Sequence, residues 1–235
     1  MTWSILARDP TTGTLGAAVA SRFFAAGALC LRVEGCVAAL STQALVNPMY
    51  AVHAMHRLRD GEDPSGIMQS LTSPDPGVAQ RQFYILDAAG RIGQHTSAEC
   101  VGWAGHVHGP DVSVAGNMLA GPAVVERTLD AFLRAVGTLA ERLMTAMEAG
   151  EAAGGDKRGR QGAALQVCTA DPYPDLDIHA DDHLDPLAEL RRLHRVSQER
   201  YAVFRRHLAG AGNPWGTVDR KVIDAAIARD GRPLA

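Results

Sequence analysis

Two apolar runs separated by a turn open the chain. Residues 3–8 read Trp-Ser-Ile-Leu-Ala-Arg, and residues 15–20 form a second apolar run. Between them, Asp9-Pro10-Thr11-Thr12-Gly13 has the aspartate, proline and glycine that favour a turn. The pattern predicts an antiparallel hairpin that begins next to Thr2.

Short strand-like segments continue along the chain, each rich in apolar or β-branched residues and bounded by turn residues. They are expected at residues 36–43, 82–87, 91–96, 101–107, 112–117, 163–168 and 176–180. Ala88-Ala89-Gly90 and His108-Gly109-Pro110 lie between consecutive segments, which is typical of hairpin connections.

Helical spacing and capping residues occupy most of the remaining chain. Asn47-Pro48 and Asp63-Pro64 are expected to begin two helices, which end near residues 60 and 71. Later helices are expected at 122–134, at 138–149 and from 185 to about 208. Thr138 and Glu141 form a capping box for the second of these, and Gly150 is expected to end it.

Runs of strands alternate here with pairs of helices, which does not fit the regular βαβ order of a parallel sheet. We therefore predict an α+β fold with antiparallel sheets and outer helices. A four-layer αββα sandwich would bury this much small apolar sequence. Residues 1–208 would form the domain, and 209–235 an appendage that packs on its own domain or on a second subunit.

Composition limits the function classes. The 235 residues are 46% hydrophobic and 21% charged, with a net charge of -3, so no basic field favours nucleic acid. No long apolar run or basic leader indicates a membrane span or signal peptide, and we expect a cytoplasmic protein without a membrane partner. The four cysteines lack metal-site spacing and are interpreted as buried reduced thiols.

Thr2 is the candidate that offers the most chemistry. If Met1 is removed, Thr2 carries a hydroxyl nucleophile and a free amine on one residue. An α-amine has a pKa of about 7.7 to 8.0, so roughly a tenth is neutral at pH 7 and can accept the hydroxyl proton. An intact Met1–Thr2 bond would make that nitrogen a non-basic amide. The alternative interpretation is that Thr2 has no catalytic role and only begins an ordinary first strand.

Several motifs together resemble a bacterial family of unassigned function that is related to the N-terminal nucleophile (Ntn) hydrolases. The likeness covers about residues 2–208. The matching segments are 2–24, Ser41-Thr42-Gln43 with Asn47-Pro48-Met49-Tyr50, Arg81-Gln82, Asp87 with Gly90, Trp103-Ala104-Gly105-His106, 116–121, 155–161, Asp181-Asp182-His183 and Asp185-Pro186. The resemblance implies the αββα fold, and it places Thr2 where the wider superfamily carries its nucleophile; it implies no particular reaction.

Other residues are candidates for the same site. Asn117 with Gly116 could supply oxyanion donors, or could form a tight turn and a helix cap. Ser41 is the fallback nucleophile, while Thr42 and Gln43 would line the pocket beside Thr2 or bond the following loop. The guanidinium groups of Arg22 and Arg160 suit a substrate carboxylate. Asp182 and His183 could orient a pocket group or serve the helix at Asp185.

The leading hypothesis is an amidohydrolase that cleaves a small non-peptide or amino-acid-derived C–N amide bond through Thr2. No cofactor is expected, because the glycine-rich segment 154–160 lacks the phosphate-loop pattern. No metal is expected either, because the histidine pairs lack a third ligand at motif spacing. A homodimer or higher homo-oligomer is expected. The rival hypothesis is a non-catalytic protein that binds a ligand or partner on the same scaffold.

Overall fold

Antiparallel strands form two sheets in the computed structural model, which describes residues 2–232. The larger sheet has six strands in the order β10-β9-β2-β1-β8-β7, and the smaller has four in the order β3-β4-β5-β6. The strands are β1 (Thr2–Arg8), β2 (Leu15–Ser21), β3 (Leu31–Glu34), β4 (Ala38–Ala44), β5 (Arg81–Asp87), β6 (Ile92–Thr96), β7 (Trp103–Gly109), β8 (Val112–Leu119), β9 (Gly162–Cys168) and β10 (Leu176–Ala180).

Helices cover the outer face of each sheet. The helices are α1 (Ala26–Cys30), α2 (Pro48–Arg59), α3 (Pro64–Thr72), α4 (Ala123–Arg134), α5 (Leu139–Ala152), α6 (Pro186–Ser197), α7 (Tyr201–Arg205) and α8 (Arg220–Asp230). Helices α4, α5 and α6 pack on the six-stranded sheet, and α2 and α3 pack on the four-stranded sheet. The order of packing is therefore helices, large sheet, small sheet, helices, and the fold is α+β as the sequence predicts.

Alternation along β1 divides its side chains between two cores. Trp3 and Ile5 belong to the core between the large sheet and its helices. Leu6 belongs to the core between the two sheets, which also contains Val19 of β2 and Tyr84 of β5. Because successive strand residues point to opposite faces, Thr2 and Ser4 share the inner face with Leu6. This alternation directs Thr2 toward the space between the sheets.

Register places two polar residues beside Thr2. Thr2 pairs with Ser21 at the end of β2 and with Asn117 near the end of β8. The central position of β1 follows from its burial, since all residues from Thr2 to Ala7 are buried. The predicted N-terminal hairpin is confirmed, and Thr2 lies at one end of the large sheet.

Local signals in the sequence correctly mark several helix ends. The side chain of Asn47 accepts from the backbone of Met49 at the start of α2. Thr138 and Glu141 form the predicted capping box of α5. Gly150 does not end that helix, which continues to Ala152. The glycine instead allows close packing of the helix on the sheet, since an added Cβ would lie 2.8 Å from Nε1 of Trp3.

The helix expected from 185 to about 208 is wrong as a single element, because α6 ends at Ser197 and α7 begins at Tyr201. The Ser197 hydroxyl donates to the His194 carbonyl, a side-chain bond that competes with the helical ladder. The Gln198 carbonyl accepts a hydrogen bond from the backbone N–H of Arg232. The end of the described chain therefore lies next to the interruption between α6 and α7. The tail folds back on residues of its own chain.

Within the described part of the C-terminal appendage, residues 209–232, few of the large apolar side chains are buried. Ile223 of α8 is buried, whereas Trp215 and Val218 are 83% and 87% exposed. Tyr173 donates its hydroxyl to the Ala209 carbonyl at 2.5 Å, which ties the start of the tail to the domain. Among residues 2–232, no helix is long and apolar enough to cross a membrane.

Candidate functional site

Polar side chains are concentrated on the inner faces of the two sheets, at the end where β1 begins. They are contributed by strands of both sheets and are almost fully buried: Thr2, Ser4, Ser21, Ser41, Gln43, Gln82 and Asn117. Because a buried polar group without a partner costs free energy, this concentration requires a hydrogen-bond network. The contacts below show that such a network is present.

The Thr2 hydroxyl is partnered by a second hydroxyl. Its Oγ1 lies 3.0 Å from Oγ of Ser21, and Thr2 is only 7% exposed. A cavity of about 60 Å³ opens beside both residues. It is lined by Thr2, Ser21, Phe23, Ala26, Leu29, Cys30, Gln43, Ala44 and Val46. The nucleophile candidate thus borders a small, mostly apolar space that also contains the Gln43 amide.

Gln82 of β5 joins the two sheets. Its Oε1 accepts from Nε2 of Gln43 at 2.7 Å and from Nδ2 of Asn117 at 3.1 Å. Its own amide donates to Thr96 at 2.9 Å and to the carbonyl oxygens of Gly105 and Gly116 at 3.1 and 3.0 Å. These bonds fix the orientation of the Asn117 and Gln43 side chains next to Thr2.

Ser41 lies deeper between the sheets. Its hydroxyl is 3.1 Å from that of Ser4, which donates to Oε1 of Gln43 at 2.7 Å and also contacts the Tyr84 hydroxyl. Burial raises the pKa of Tyr84. Within the described part of the chain no histidine hydrogen-bonds to Ser41, so the structure gives this fallback nucleophile no base. Ser41 is part of the network that holds Gln43.

Two of the predicted site residues face away from Thr2. Thr42 points to the opposite side of β4, where its hydroxyl donates to the Asn47 carbonyl and holds the loop before α2. Gly116 lies within β8 and pairs with Trp3, where an added Cβ would lie 2.9 Å from Cβ of Trp3. Close packing explains the glycine, and Asn117 does not cap α4, whose N-cap is Pro122.

The remaining four candidates meet in a second pocket. Arg22, Arg160, Asp182 and His183 line a cavity of about 320 Å³ together with Gln161 and Leu184. A backbone hydrogen bond connects the wall of this cavity to the Thr2 site: the N–H of Gln161 donates to the Ser21 carbonyl at 3.0 Å. Arg160 forms ion pairs with Glu151 at 3.3 Å and with Asp185 at 3.2 Å. Much of its charge is therefore already neutralised.

Within that pocket, the side chains of Asp182 and His183 form hydrogen bonds to other groups of the protein that line or adjoin it. Asp182 accepts from Nε2 of Gln161 at 3.1 Å, and Nδ1 of His183 accepts from the Asp185 backbone at 2.9 Å. His183 therefore serves the start of α6, the second of the two roles that the sequence left open. Nδ1 of His183 is occupied by this bond.

Asp156 was missed by sequence reasoning, although it controls the loop beside the site. It is 5% exposed and accepts backbone bonds from Arg22 at 3.0 Å and from Arg158 at 2.8 Å. The glycine-rich segment obscured it, since glycines and basic residues there indicate a solvated turn. A single carboxylate fixes this loop to the end of β2.

Two residues with a strained backbone conformation come directly after site residues in the sequence. Ala44 and Met118 have φ values of 68° and 55°, a left-handed conformation that side chains other than glycine rarely adopt. They come immediately after Gln43 and Asn117, and both line a cavity of about 210 Å³. Ala44 also borders the Thr2 cavity. Such backbone strain is found preferentially at functional sites.

The four cysteines are free thiols, and one of them, Cys30, lines the Thr2 cavity. Cys30, Cys100 and Cys168 are buried free thiols, and burial raises the pKa of each. Cys36 is exposed, contrary to expectation, because it occupies the turn between β3 and β4 with a φ of 60°. Among residues 2–232, no group of three or more metal-binding side chains is arranged to hold a metal ion.

Comparison with known proteins places the chain in a family. A family model described as "Family of unknown function (DUF1028)" matches residues 2–190. The crystal structure of a Silicibacter pomeroyi protein of the same family model is 30% identical, with a TM-score of 0.87, and the match covers 93% of this chain and 96% of that one.

A more distant structure is Anbu, described as an ancestral β-subunit, from Yersinia bercovieri. It is 11% identical, covers 82% of this chain and 92% of its own, and has a TM-score of 0.36, a level at which it supports no argument. No curated protein matches the chain significantly. The extent of the family match and the identity to the Silicibacter pomeroyi protein together show that this chain belongs to DUF1028, a family of unknown function.

Proposed function

We propose that the protein is an Ntn-type amidohydrolase that acts on a small non-peptide or amino-acid-derived amide through Thr2. The observation that carries the proposal is the position of Thr2. Its side chain lies at the end of a central strand, on the inner face between two sheets, and borders a cavity. A four-layer Ntn-hydrolase-like fold is the corresponding structural proposal, which the packing order of helices and sheets supports.

The reaction requires that Met1 be removed. Oγ1 of Thr2 would then attack the amide carbonyl carbon while the Thr2 amine accepts the hydroxyl proton. Collapse of the tetrahedral intermediate breaks the C–N bond, and the leaving amine takes that proton. Water hydrolyses the resulting ester and regenerates the hydroxyl. The atoms balance with water as the only co-reactant.

Neighbouring groups support the electrostatics of this reaction. Asn117 pairs with Thr2 across the strands, and its amide is oriented by the bond to Gln82. An amide group that is already held in place can stabilise a developing oxyanion without reorganising. Ser21 lies close enough to exchange a proton with the Thr2 hydroxyl. Gln43 borders the same cavity and can contact the substrate.

The rival function, a non-catalytic protein that binds a ligand or a partner on the same scaffold, is favoured by the small size of the Thr2 cavity, which leaves little room for a substrate. A volume of about 60 Å³ is well below the roughly 300–1,000 Å³ of small-molecule sites, so a substrate would have to displace the partly exposed Phe23 and Leu29 side chains at its wall. A non-catalytic protein would keep the Thr2–Ser21 hydroxyl pair as a structural contact and would not need the Thr2 hydroxyl to react. The two functions therefore differ in whether Thr2 can be acylated.

Covalent labelling distinguishes them. Protein purified from its native host is treated with a small β-lactone, and the N-terminal peptide is analysed by mass spectrometry. The hydrolase proposal predicts one acyl group on Thr2, retained in Thr12→Ala and lost in Thr2→Ala. Thr12 is a suitable control because it is an exposed threonine of the β1–β2 turn. Labelling that is absent, or unchanged in Thr2→Ala, would support the binding function.

A further inference from the structure

A further cavity lies away from Thr2. Its volume is about 510 Å³, within the range of small-molecule sites. Asp9, Thr12 and Thr14 form part of its wall, in the turn that follows β1, whereas Thr2 is the first residue of that strand. The length of β1, roughly 20 Å at about 3.3 Å per residue, separates the two sites.

Two arginines at this cavity have no side-chain partner in the described part of the chain. In residues 2–232, Arg195 and Arg232 form no ion pair, side-chain hydrogen bond or ring contact, and both line the cavity. Every other described arginine has such a contact. Arg22 and Arg32 donate to backbone carbonyls, Arg142 lies over the Phe132 ring at 4.3 Å, and the rest pair with carboxylates.

Folding brings these two guanidinium groups to the same cavity from distant parts of the sequence. Arg195 lies in the last turn of α6, and the Arg232 backbone donates to the carbonyl of Gln198 just beyond that helix. Both side chains are exposed, so an ion pair with a ligand would not first have to displace an internal partner.

The carboxylates at the cavity are already engaged. Oδ1 of Asp9 accepts the backbone N–H groups of Thr11 and Thr12 at 2.8 and 3.4 Å. Oε2 of Glu141 accepts the backbone and hydroxyl of Thr138, each at 2.8 Å. These bonds hold the acids in the turn and the helix cap. Their charge nevertheless opposes a ligand with several negative charges.

Apolar residues form another part of the wall, beside the polar side chains of Thr138, His194 and Gln198. Leu139 of α5, Val167 of β9 and Leu176 of β10 border the cavity. An apolar body would therefore gain from burial at roughly 25 cal/mol per Å². A highly charged phosphate compound would gain little there and would meet the two carboxylates.

We propose that this cavity binds a small organic acid, with its carboxylate on Arg195 and Arg232 and its apolar body against the walls formed by α5, β9 and β10. A guanidinium holds a carboxylate through two parallel hydrogen bonds, which suits a ligand of this class. The site does not depend on the proposed hydrolase activity, because it contains none of the residues around Thr2.

Ligand-observed NMR titration tests the site with hexanoate and hexanamide, which share an apolar body and differ in charge. The wild-type chain should bind hexanoate at least tenfold more tightly than hexanamide. In the double variant Arg195→Gln, Arg232→Gln that preference should disappear. Arg192→Gln is the matched control, since Arg192 lies on the same helix but pairs with Glu189 and does not line the cavity.

Stability of the double variant should equal that of the wild type, since neither guanidinium has a partner among the residues that the structure describes. An unchanged thermal midpoint would show that lost binding is not lost folding. Equal binding of hexanoate and hexanamide by the wild type, or an unchanged preference in the double variant, would overturn the proposal.

Discussion

The hydroxyl oxygens of Thr2 and Ser21 lie 3.0 Å apart where β1 begins and β2 ends. Both are buried on the inner face of the large sheet. The pair connects the proposed nucleophile to the backbone of the neighbouring pocket, because the Ser21 carbonyl accepts from Gln161. Ser21 is therefore suited to positioning the Thr2 hydroxyl.

Replacing Ser21 by alanine should lower both stability and reactivity at Thr2. The change removes a buried hydroxyl, for which we expect a loss of about 1 kcal/mol in the free energy of unfolding. The rate of β-lactone acylation at Thr2 should also fall, by at least tenfold. Urea unfolding and labelling kinetics measure the two effects.

Ser65→Ala is the control for that variant, because Ser65 is exposed on α3. It should change stability by less than about 0.5 kcal/mol and leave labelling unchanged. An acylation rate in Ser21→Ala equal to that of the wild type would show that Ser21 does not position Thr2.

Gln82→Met should be among the most destabilising polar substitutions in the chain. Gln82 is fully buried and holds the Gln43 and Asn117 amides. Methionine fills a similar volume but leaves those buried donors without an acceptor, at about 1–3 kcal/mol for each group. A total loss of about 2–6 kcal/mol is expected in urea unfolding. Gln69→Met, on the exposed face of α3, should stay near wild type; similar losses in both would contradict the network.

Two helical glycines should respond oppositely to alanine. In Gly27 of α1, an added Cβ would overlap Cβ of Ala164, whereas Gly66 of α3 faces open space. Gly27→Ala should cost about 1–3 kcal/mol through overpacking. Gly66→Ala should gain about 0.5–1 kcal/mol, because glycine is unfavourable within helices. Thermal unfolding of both variants checks the sign, and the same sign for both would contradict this packing of α1.

Asp75 should contribute to stability in acid. Hydrogen bonds from Tyr50 and then Arg81 lower its pKa to about 2, from an ordinary value of about 3.9. A carboxyl whose folded pKa is depressed stabilises the fold above its unfolded pKa, and this contribution is lost as pH falls from about 4 to about 2.

Unfolding of Asp75→Asn between pH 2 and pH 7 tests that contribution. The variant should be less stable than wild type at pH 7, and the difference should shrink below about pH 4. Glu126→Gln, which alters an exposed carboxyl on α4, is the matched control for loss of a carboxyl elsewhere on the surface. A constant difference between Asp75→Asn and wild type at every pH would contradict the lowered pKa.

Local sequence signals were enough to predict most of the fold. The β1–β2 turn, the Asn47 cap and the Thr138 capping box depend on residues a few positions apart, and each was predicted correctly. Segment 26–34 was not assigned, because α1 has only five residues and no side-chain cap, and it follows Ala25 with a left-handed φ of 51°. Nothing in its pattern marks that turn.

The candidate site was only partly predictable. Thr2, Asn117 and Gln43 do meet on the inner face, whereas Thr42 follows the opposite face of its strand and Arg160 is paired with two carboxylates. Gln82 and Ser4 were missed because their roles depend on contacts between the two sheets. Such contacts join residues 23 to 80 positions apart, and no short motif records them.

The most direct test of the central claim is the intact mass of the protein purified from its native host. A hydrolase that acts through Thr2 should be a single species that lacks the mass of one methionine residue, with Thr2 at its N-terminus and a free amine that dimethylation can label. A protein that retains Met1 throughout would lack the basic amine, and the proposed hydrolase mechanism would be wrong.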